Sequence, residues 1–227
     1  MENSFGKKII WRKEILPKQT KKAFEYLSNQ TWLKRSSWYL AGGTALALQA
    51  GQRSSVDLDF FTPQSSFNNA TLLRHFLNNK NWKTTINEEG TIYGELFGAK
   101  ISFIAYPFFK PSQPSNYCGA IKILHPIDIA GMKVMAISQR GRKRDFFDLY
   151  WCAKNLEPLD KIIYRLKKQY PKIIHNYHHI LKSLVYFADA ENDPQPKIYF
   201  NANWNEIKKF FLTEIPVITN KILNLEK

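Results

Sequence analysis

The stretch WYLAGGTALALQAGQRSSVDLDFF, residues 38–61, decides the predicted fold of this chain. Its apolar start predicts a strand over 38–41, and the run of alanine and leucine after the double glycine predicts a short helix over 45–50. Gly51 is expected to end that helix, because glycine is common just past a helix C-terminus. A second strand is predicted over 55–61, so the stretch forms one strand–helix–strand unit.

The second strand carries two carboxylates, Asp57 and Asp59, with Leu58 between them. Side chains two residues apart lie on the same side of a strand, so the carboxylates share one face while Val56, Leu58 and Phe60 share the other. Two adjacent carboxylates repel each other and are costly to bury unpaired. A cation between them removes both problems, and Mg²⁺ is commonly held by one or two carboxylates together with substrate phosphates.

The turn Gly42-Gly43-Thr44 precedes the helix and suits a phosphate group. Backbone N–H groups and a hydroxyl at a helix N-terminus can hold phosphate. A phosphate cradle beside metal carboxylates indicates phosphoryl or nucleotidyl transfer. Taken singly, the double glycine could be an ordinary turn, and the aspartates could be solvated on an open strand edge. The combined pattern G-G-T-x12-D-x-D favours the functional interpretation.

Residues 42–61 resemble the first motif of the AbiEii/AbiGii toxin nucleotidyltransferases. The resemblance implies an α+β fold: a polymerase-β-like nucleotidyltransferase core, built as a mixed sheet with helices, followed by a helical C-terminal half. We therefore expect residues 1–125 to form the catalytic core. Residues 126–227 are expected to form a helical region that completes the active-site cleft.

The resemblance also implies roles for individual residues. The metal, Mg²⁺ or Mn²⁺, is expected on Asp57 and Asp59. Gln52 stands where the family often has histidine in a G-H-R-x-S pattern, which weakens base chemistry there but leaves the metal site intact. The strand predicted over 100–106 has Ser102 and no acid, where polymerase-β-like transferases commonly have a third carboxylate. The nucleotide-binding residues implied in this motif are Gly42, Gly43, Thr44, Arg53 and Ser55.

A helix predicted over 127–139 carries Lys133 among apolar side chains, where a lysine either snorkels to solvent or meets an anion. The run KVMAISQR that begins at Lys133 resembles the family's second motif, a helical lysine that meets the nucleotide. RDFFDLY, residues 144–150, resembles the third motif, and its acids Asp145 and Asp148 share one helix face. Each acid alone could be a helix cap or an ion-pair partner. We predict Lys133, Asp145 and Asp148 as catalytic residues with Asp57 and Asp59, and favour Asp145 as the acid that orients the lysine or assists the base step.

Periodicity and turn residues predict the remaining elements. Further helices are predicted over 18–29, 67–79, 144–155, 158–169, 173–186 and 203–214. Further strands are predicted over 82–87, 91–97, 100–106 and 120–124. Loops are predicted over 107–119 and 189–196.

The charge balance of 33 Lys and Arg against 19 Asp and Glu gives a net charge of +14, which favours a polyanionic partner such as RNA. Single basic residues are more often solvated on helix faces. The basic residues predicted to line an RNA surface are Arg140, Arg142, Lys143, Arg144, Lys161, Arg165 and Lys168.

Cys118 and Cys152 form neither a disulfide framework nor a zinc pattern, so we expect free thiols in a reducing compartment. The N-terminus lacks the apolar segment of a signal peptide, and no apolar run approaches the roughly 18 residues of a membrane span. A cytoplasmic protein without membrane contact is expected.

These features predict a Mg²⁺-dependent enzyme that moves a nucleoside monophosphate from an NTP to an RNA, with the tRNA 3′ end as one candidate, or to a protein. The resemblance implies a toxin of a toxin–antitoxin or phage-defence system, with a cognate antitoxin as partner. The alternative is a catalytically degenerate module that binds nucleotide or RNA without turnover, with the missing third acid as its cause. A third possibility is transfer of the γ-phosphate.

Overall fold

The structure is a computed structural model that describes residues 9–225, with side chains described for residues 9–222. The chain divides into two compact units, Met1–His125 and Pro126–Lys227. The first unit contains the strands, and all described elements of the second unit are helices. Within the described residues, no helix is both long and apolar enough to cross a membrane.

The described strands of the first unit form one seven-stranded sheet in the order β3-β4-β5-β2-β1-β7-β6. They are β1 Tyr39–Ala41, β2 Leu58–Thr62, β3 Trp82–Glu88, β4 Thr91–Leu96, β5 Ala99–Ala105, β6 Asn116–Cys118 and β7 Ile121–Ile123. Strand β2 pairs antiparallel with β1 and parallel with β5, so the sheet is mixed. Strand β2, which carries Asp59 and directly follows Asp57, is the central strand of the seven.

The helices of the first unit are α1 Lys18–Ser28, α2 Thr31–Lys34, α3 Gly42–Ala50 and α4 Asn69–Leu73. Those of the second unit are α5 Pro126–Arg140, α6 Lys143–Asn155, α7 Leu159–Gln169, α8 Tyr177–Ser183, α9 Ala188–Glu191 and α10 Trp204–Leu225. Helix α3 packs against β1 and β2, and helix α5 packs against α6, α7 and α8. Gly51 ends α3 in the left-handed conformation, as the sequence predicts.

The buried face of the central strands is aromatic. Phe60 on β2 lies opposite Phe103 on β5, and their rings stack with centroids 5.1 Å apart. Trp38 and Phe76 pack against Phe103 at centroid distances of 5.1 and 6.1 Å. Because side chains alternate along a strand, this packing turns Asp59 and Ser102 to the other face of the sheet.

Side-chain caps shorten two of the predicted helices. The predicted helix 67–79 is α4 followed by a 3-10 turn, because the Asn68 side chain accepts from the Thr71 N–H and starts the helix there. The predicted helix 173–186 is reduced to α8, which Asn176 caps in the same way.

Three other predicted boundaries are also wrong. Helix α10 continues past the predicted end at 214 and through Pro216, because Ile215, Ile218 and Ile222 extend its buried face. The predicted loop 107–119 contains β6, which pairs antiparallel with β7. The predicted loop 189–196 overlaps the short helix α9.

Phe103→Ala should lower the free energy of unfolding by about 3–5 kcal/mol, because it removes the ring at the centre of the aromatic cluster and leaves a cavity. Urea denaturation of purified protein measures this. Phe108→Ala is the control, since that ring is half exposed, and should cost less than about 1 kcal/mol. Equal losses for the two variants would contradict a core centred on Phe103.

Candidate active site

The turn between β1 and α3 places backbone directly against the Asp59 carboxylate. Ala41, the last residue of β1, lies opposite Asp59 on β2. Gly42 follows with φ +71°, a conformation that favours glycine. A Cβ atom at Gly42 would lie 3.0 Å from Asp59 Oδ2. Glycine therefore satisfies both the backbone conformation and the close approach at this position.

Two polar side chains pack against Gly43, the second glycine of the turn. A Cβ atom at Gly43 would collide with the Arg53 guanidinium and would lie 3.0 Å from Ser55 Oγ. Both side chains are buried, and Arg53 Nη1 donates to Ser54 O at 2.9 Å. The structure thus brings three predicted nucleotide-binding residues together at the start of α3.

Thr44 lies one residue further and is buried. Its hydroxyl donates to the Asp57 carbonyl, which ties α3 to the chain just before β2. A threonine hydroxyl has one hydrogen to donate. Thr44 can therefore offer a phosphate its backbone N–H, since the N–H groups of a first helical turn have no partner within the helix.

Asp57 lies one residue before β2, so the predicted strand 55–61 begins too early. Its carbonyl accepts from Thr44 rather than from a neighbouring strand, because β1 is short and pairs only with residues 59–61. Asp57 and Asp59 are both partly exposed, whereas Val56, predicted to face away with the buried Leu58, is 50% exposed.

Ser102 occupies the strand position beside Asp59. The two residues are paired across β5 and β2, and the Ser102 hydroxyl donates to Asp59 Oδ1 at 2.8 Å. The position that commonly carries a third carboxylate in polymerase-β-like transferases therefore holds a hydroxyl here, and this hydroxyl binds one of the two acids. Asp57, Asp59 and Ser102 line a cavity of about 320 Å³ that continues over β5 and β4.

The donor set at Asp57 and Asp59 fits one divalent cation shared with phosphates. Both acids offer hard oxygen ligands, and Mg²⁺ usually needs one or two carboxylates plus substrate oxygens. Among the residues that the structure describes, no group of three or more His, Cys, Asp or Glu side chains could hold a metal ion. A site closed entirely by protein ligands is therefore not built in the described part of the chain.

The second unit contains a buried cluster of charges on α5 and α6. Lys133 Nζ lies 2.6 Å from Asp145 Oδ1 and 2.7 Å from Asp148 Oδ2, and both acids are buried. Arg140 Nη2 lies 3.6 Å from Asp145 Oδ2, which has no hydrogen-bond partner in the described structure. Both acids of the predicted third motif therefore contact the predicted catalytic lysine. Cys152 lies one turn after Asp148, and burial, followed by the Asp148 charge, raises the pKa of its thiol.

Part of the predicted basic surface is used inside the second unit. Lys143 Nζ donates to the carbonyls of Glu191 and Asp193 at 3.0 and 2.7 Å, and Arg142 pairs with Asp193 at 3.0 Å. Arg165 forms two hydrogen bonds with Glu157, which raise the pKa of the guanidinium. These three cations take part in contacts within the second unit, and their contact with RNA stays a prediction.

A larger cavity of about 710 Å³ lies between α8 and α10. It is mostly lined by apolar side chains, and no predicted site residue faces it. The smaller cavity, in contrast, is lined by the paired carboxylates Asp57 and Asp59. That cavity also contains Tyr93, Glu95 and Lys100, which the sequence reasoning missed. The alternation of β4 and its hairpin register with β5 could have indicated them.

Comparison with known proteins finds a family for most of the chain. The family model described as "Nucleotidyl transferase AbiEii toxin, Type IV TA system" matches residues 30–220. An uncharacterized protein of Aquifex aeolicus is 36% identical over 187 residues, a match that covers 79% of this chain and 87% of that protein.

Two solved structures share the fold. The nucleotidyltransferase toxin MenT4 of Mycobacterium tuberculosis matches with a TM-score of 0.53 at 13% identity, covering 89% of this chain and 86% of that chain. A protein of H. pylori assigned as a nucleotidyltransferase matches with a TM-score of 0.50 at 17% identity, covering 93% and 99%. The predicted α+β nucleotidyltransferase fold is confirmed.

Lys133→Met should lower the free energy of unfolding by about 3–5 kcal/mol, because it leaves two buried carboxylates without their cation. Urea denaturation followed by circular dichroism measures the change. Lys167→Met, an exposed lysine on α7, is the matched control and should stay within about 0.5 kcal/mol of the parent protein. A Lys133→Met protein as stable as this control would show that the lysine charge is not needed for folding.

Proposed function

The chain belongs to the AbiEii family of nucleotidyl transferase toxins, and we propose that it moves a nucleoside monophosphate from an NTP to the 3′ end of an RNA. Membership of the family identifies the chain as a toxin-like nucleotidyltransferase. The use of an NTP, the metal ion and the identity of the acceptor are what we propose. RNA is favoured as acceptor over protein because the net charge of +14 attracts a polyanion. A cognate antitoxin and a cytoplasmic location belong to the same proposal.

The observation that carries the proposal is the position of Asp59. Its carboxylate is bounded by the Gly42 backbone on the β1 side and by the Ser102 hydroxyl on the β5 side. A helix N-terminus favours an anion, since its N–H groups point outward and its dipole is positive there. A triphosphate bound at the turn would therefore lie beside the two acids.

The turn residues supply the proposed triphosphate site. Gly42, Gly43 and Thr44 offer N–H groups of the first turn of α3, and Arg53 and Ser55 lie against Gly43. Guanidinium and hydroxyl groups bind phosphate oxygens well, and Arg53 is held in place by its bond to the Ser54 carbonyl.

Asp57 and Asp59 are the proposed ligands of a divalent cation, Mg²⁺ or Mn²⁺. Such an ion would offset the negative charge that develops on the phosphates during transfer. The Ser102 hydroxyl holds Asp59 in one orientation, so the carboxylate does not have to be ordered when substrate binds.

The proposed reaction is an in-line displacement. The acceptor hydroxyl oxygen forms a bond to the α-phosphorus, and the bond from the α-phosphorus to the oxygen that bridges the α- and β-phosphates breaks. Pyrophosphate leaves with that oxygen, and the hydroxyl proton is lost to solvent or to a carboxylate. Positioning and charge stabilisation supply most of the rate enhancement in such transfers. Two acids and an oriented phosphate site are therefore proposed to suffice without a third carboxylate.

Lys133 is proposed as a donor to the nucleotide phosphates, as its motif implies. Two carboxylates already offset the positive charge of Lys133. Its proposed contribution is therefore a hydrogen bond of fixed direction to a phosphate oxygen, rather than a net positive charge. Asp145 is the better candidate for the assisting acid, because its Oδ2 has no hydrogen-bond partner in the described structure.

Asp57→Ala should abolish nucleotide transfer and leave the melting temperature nearly unchanged, because the side chain is partly exposed and acts on substrate. The assay incubates protein with Mg²⁺, each α-³²P-labelled NTP and total cellular RNA, and resolves the products on a denaturing gel. Glu89→Ala removes an exposed carboxylate from the β3–β4 turn and should keep full activity.

Label on RNA that disappears with Asp57→Ala supports the proposal. A stable Asp57→Ala protein with full activity would refute the site. Label from γ-³²P-labelled rather than α-³²P-labelled NTP would show that the reaction is transfer of the γ-phosphate and not nucleotidyl transfer. Label on protein would show that the acceptor is a protein and not RNA.

A further inference from the structure

The cavity beside Asp59 extends away from the proposed triphosphate site. Strand β2 lies between β1 and β5 in the sheet, and the Gly42 turn follows β1. The cavity lies on the β5 side and reaches across to β4. Asp57 and Asp59 are therefore bounded by a phosphate-binding turn on one side and by an open cavity on the other.

Strand register fixes which side chains meet in this cavity. Asp59 lies opposite Ser102, and Ser102 lies opposite Tyr93 on β4. Lys100 lies opposite Glu95 in the neighbouring row of the same face. Because side chains alternate along strands, these residues all point to the face that carries the acids.

An in-line displacement needs the attacking and leaving oxygens on opposite sides of the phosphorus. With the triphosphate at the Gly42 turn and the α-phosphate beside Asp59, the cavity on the β5 side is open to the attacking hydroxyl. We propose that the cavity over β4 and β5 binds the terminal nucleotide of the RNA acceptor, with Tyr93 stacked on its base and Lys100 against its phosphate. This inference rests on the proposed function.

The chemistry of the lining matches that ligand. The Tyr93 side chain is 39% exposed although it lies in the interior of a strand, and it lines the cavity. Exposed aromatic rings are platforms for unpaired bases. Lys100 is exposed and forms no hydrogen bond or ion pair within the described part of the chain. A volume of about 320 Å³ is on the scale of one nucleotide.

Glu95 refines the proposal because it places a negative charge beside Lys100. A carboxylate accepts hydrogen bonds from sugar hydroxyls but repels phosphate. The acceptor phosphate is therefore expected at Lys100 on the side away from Glu95, and the ribose at Glu95. An RNA end carries an additional 2′ hydroxyl for such a contact, and a DNA end does not.

The test compares Tyr93→Ala with Tyr93→Phe in two assays on the full chain. Fluorescence anisotropy with a short single-stranded RNA oligomer, labelled at its 5′ end, measures acceptor binding. Steady-state transfer measures KM for the oligomer and for the NTP separately. Tyr117→Ala, a comparably exposed tyrosine on β6 at the far edge of the sheet, is the matched control.

Tyr93→Ala should weaken oligomer binding roughly 5- to 150-fold and raise the acceptor KM similarly, with the KM for NTP unchanged. Tyr93→Phe should restore both values, since the ring rather than the hydroxyl stacks. Lys100→Ala should weaken oligomer binding and reduce the steepness of its salt dependence.

The outcomes separate this inference from the function it rests on. If the parent protein transfers nucleotide and Tyr93→Ala binds the oligomer as well as the parent does, the subsite is overturned and the proposed function stands. If the parent protein binds the oligomer but transfers no nucleotide, and Tyr93→Ala loses the binding, the RNA-end site is supported and the proposed function is overturned. The subsite is also overturned if the parent protein does not bind the oligomer. The same holds if label appears on a protein acceptor and Tyr93→Ala leaves that labelling unchanged.

Discussion

The contact between the Gly42 backbone and the Asp59 carboxylate is the constraint on which the first unit depends. The positive φ of Gly42 turns the chain from β1 into α3, and a Cβ atom there would lie 3.0 Å from Asp59 Oδ2, tighter than ordinary van der Waals contact. The buried stack of Phe60 on Phe103 fixes the opposite face of the same strands. Folding of the aromatic core therefore brings the acids and the helix N-terminus together before any ligand binds, which lowers the cost of ordering the site.

The second unit uses its charges differently. The first unit leaves Asp57 and Asp59 partly exposed, whereas the second buries Lys133 between two carboxylates. Removing one partner of such a buried cluster is strongly destabilising, because it leaves an uncompensated buried charge. Asp193 acts in the same way at the start of α6, where it binds Arg142 and the Lys143 N–H.

Local patterns predicted the parts of the site that lie close together in sequence. The double glycine and the Gly51 cap each depend on a few consecutive residues, and the structure contains both. Asp57 and Asp59 line one cavity, although only Asp59 lies on β2. Contacts set by strand register were beyond those patterns, because Ser102 and Tyr93 reach the acids only when β4, β5 and β2 align. Side-chain caps such as Asn176 were missed for a related reason, since the apolar period continues through them.

The most direct measurement is a crystal structure with Mn²⁺ and a non-hydrolysable α,β-methylene NTP, in which anomalous scattering locates the metal. The account predicts a metal peak between the carboxylates of Asp57 and Asp59, with the β- and γ-phosphates against the N–H groups of Gly43 and Thr44. A nucleotide bound elsewhere, such as in the groove between α8 and α10, or phosphates remote from the double-glycine turn, would contradict it.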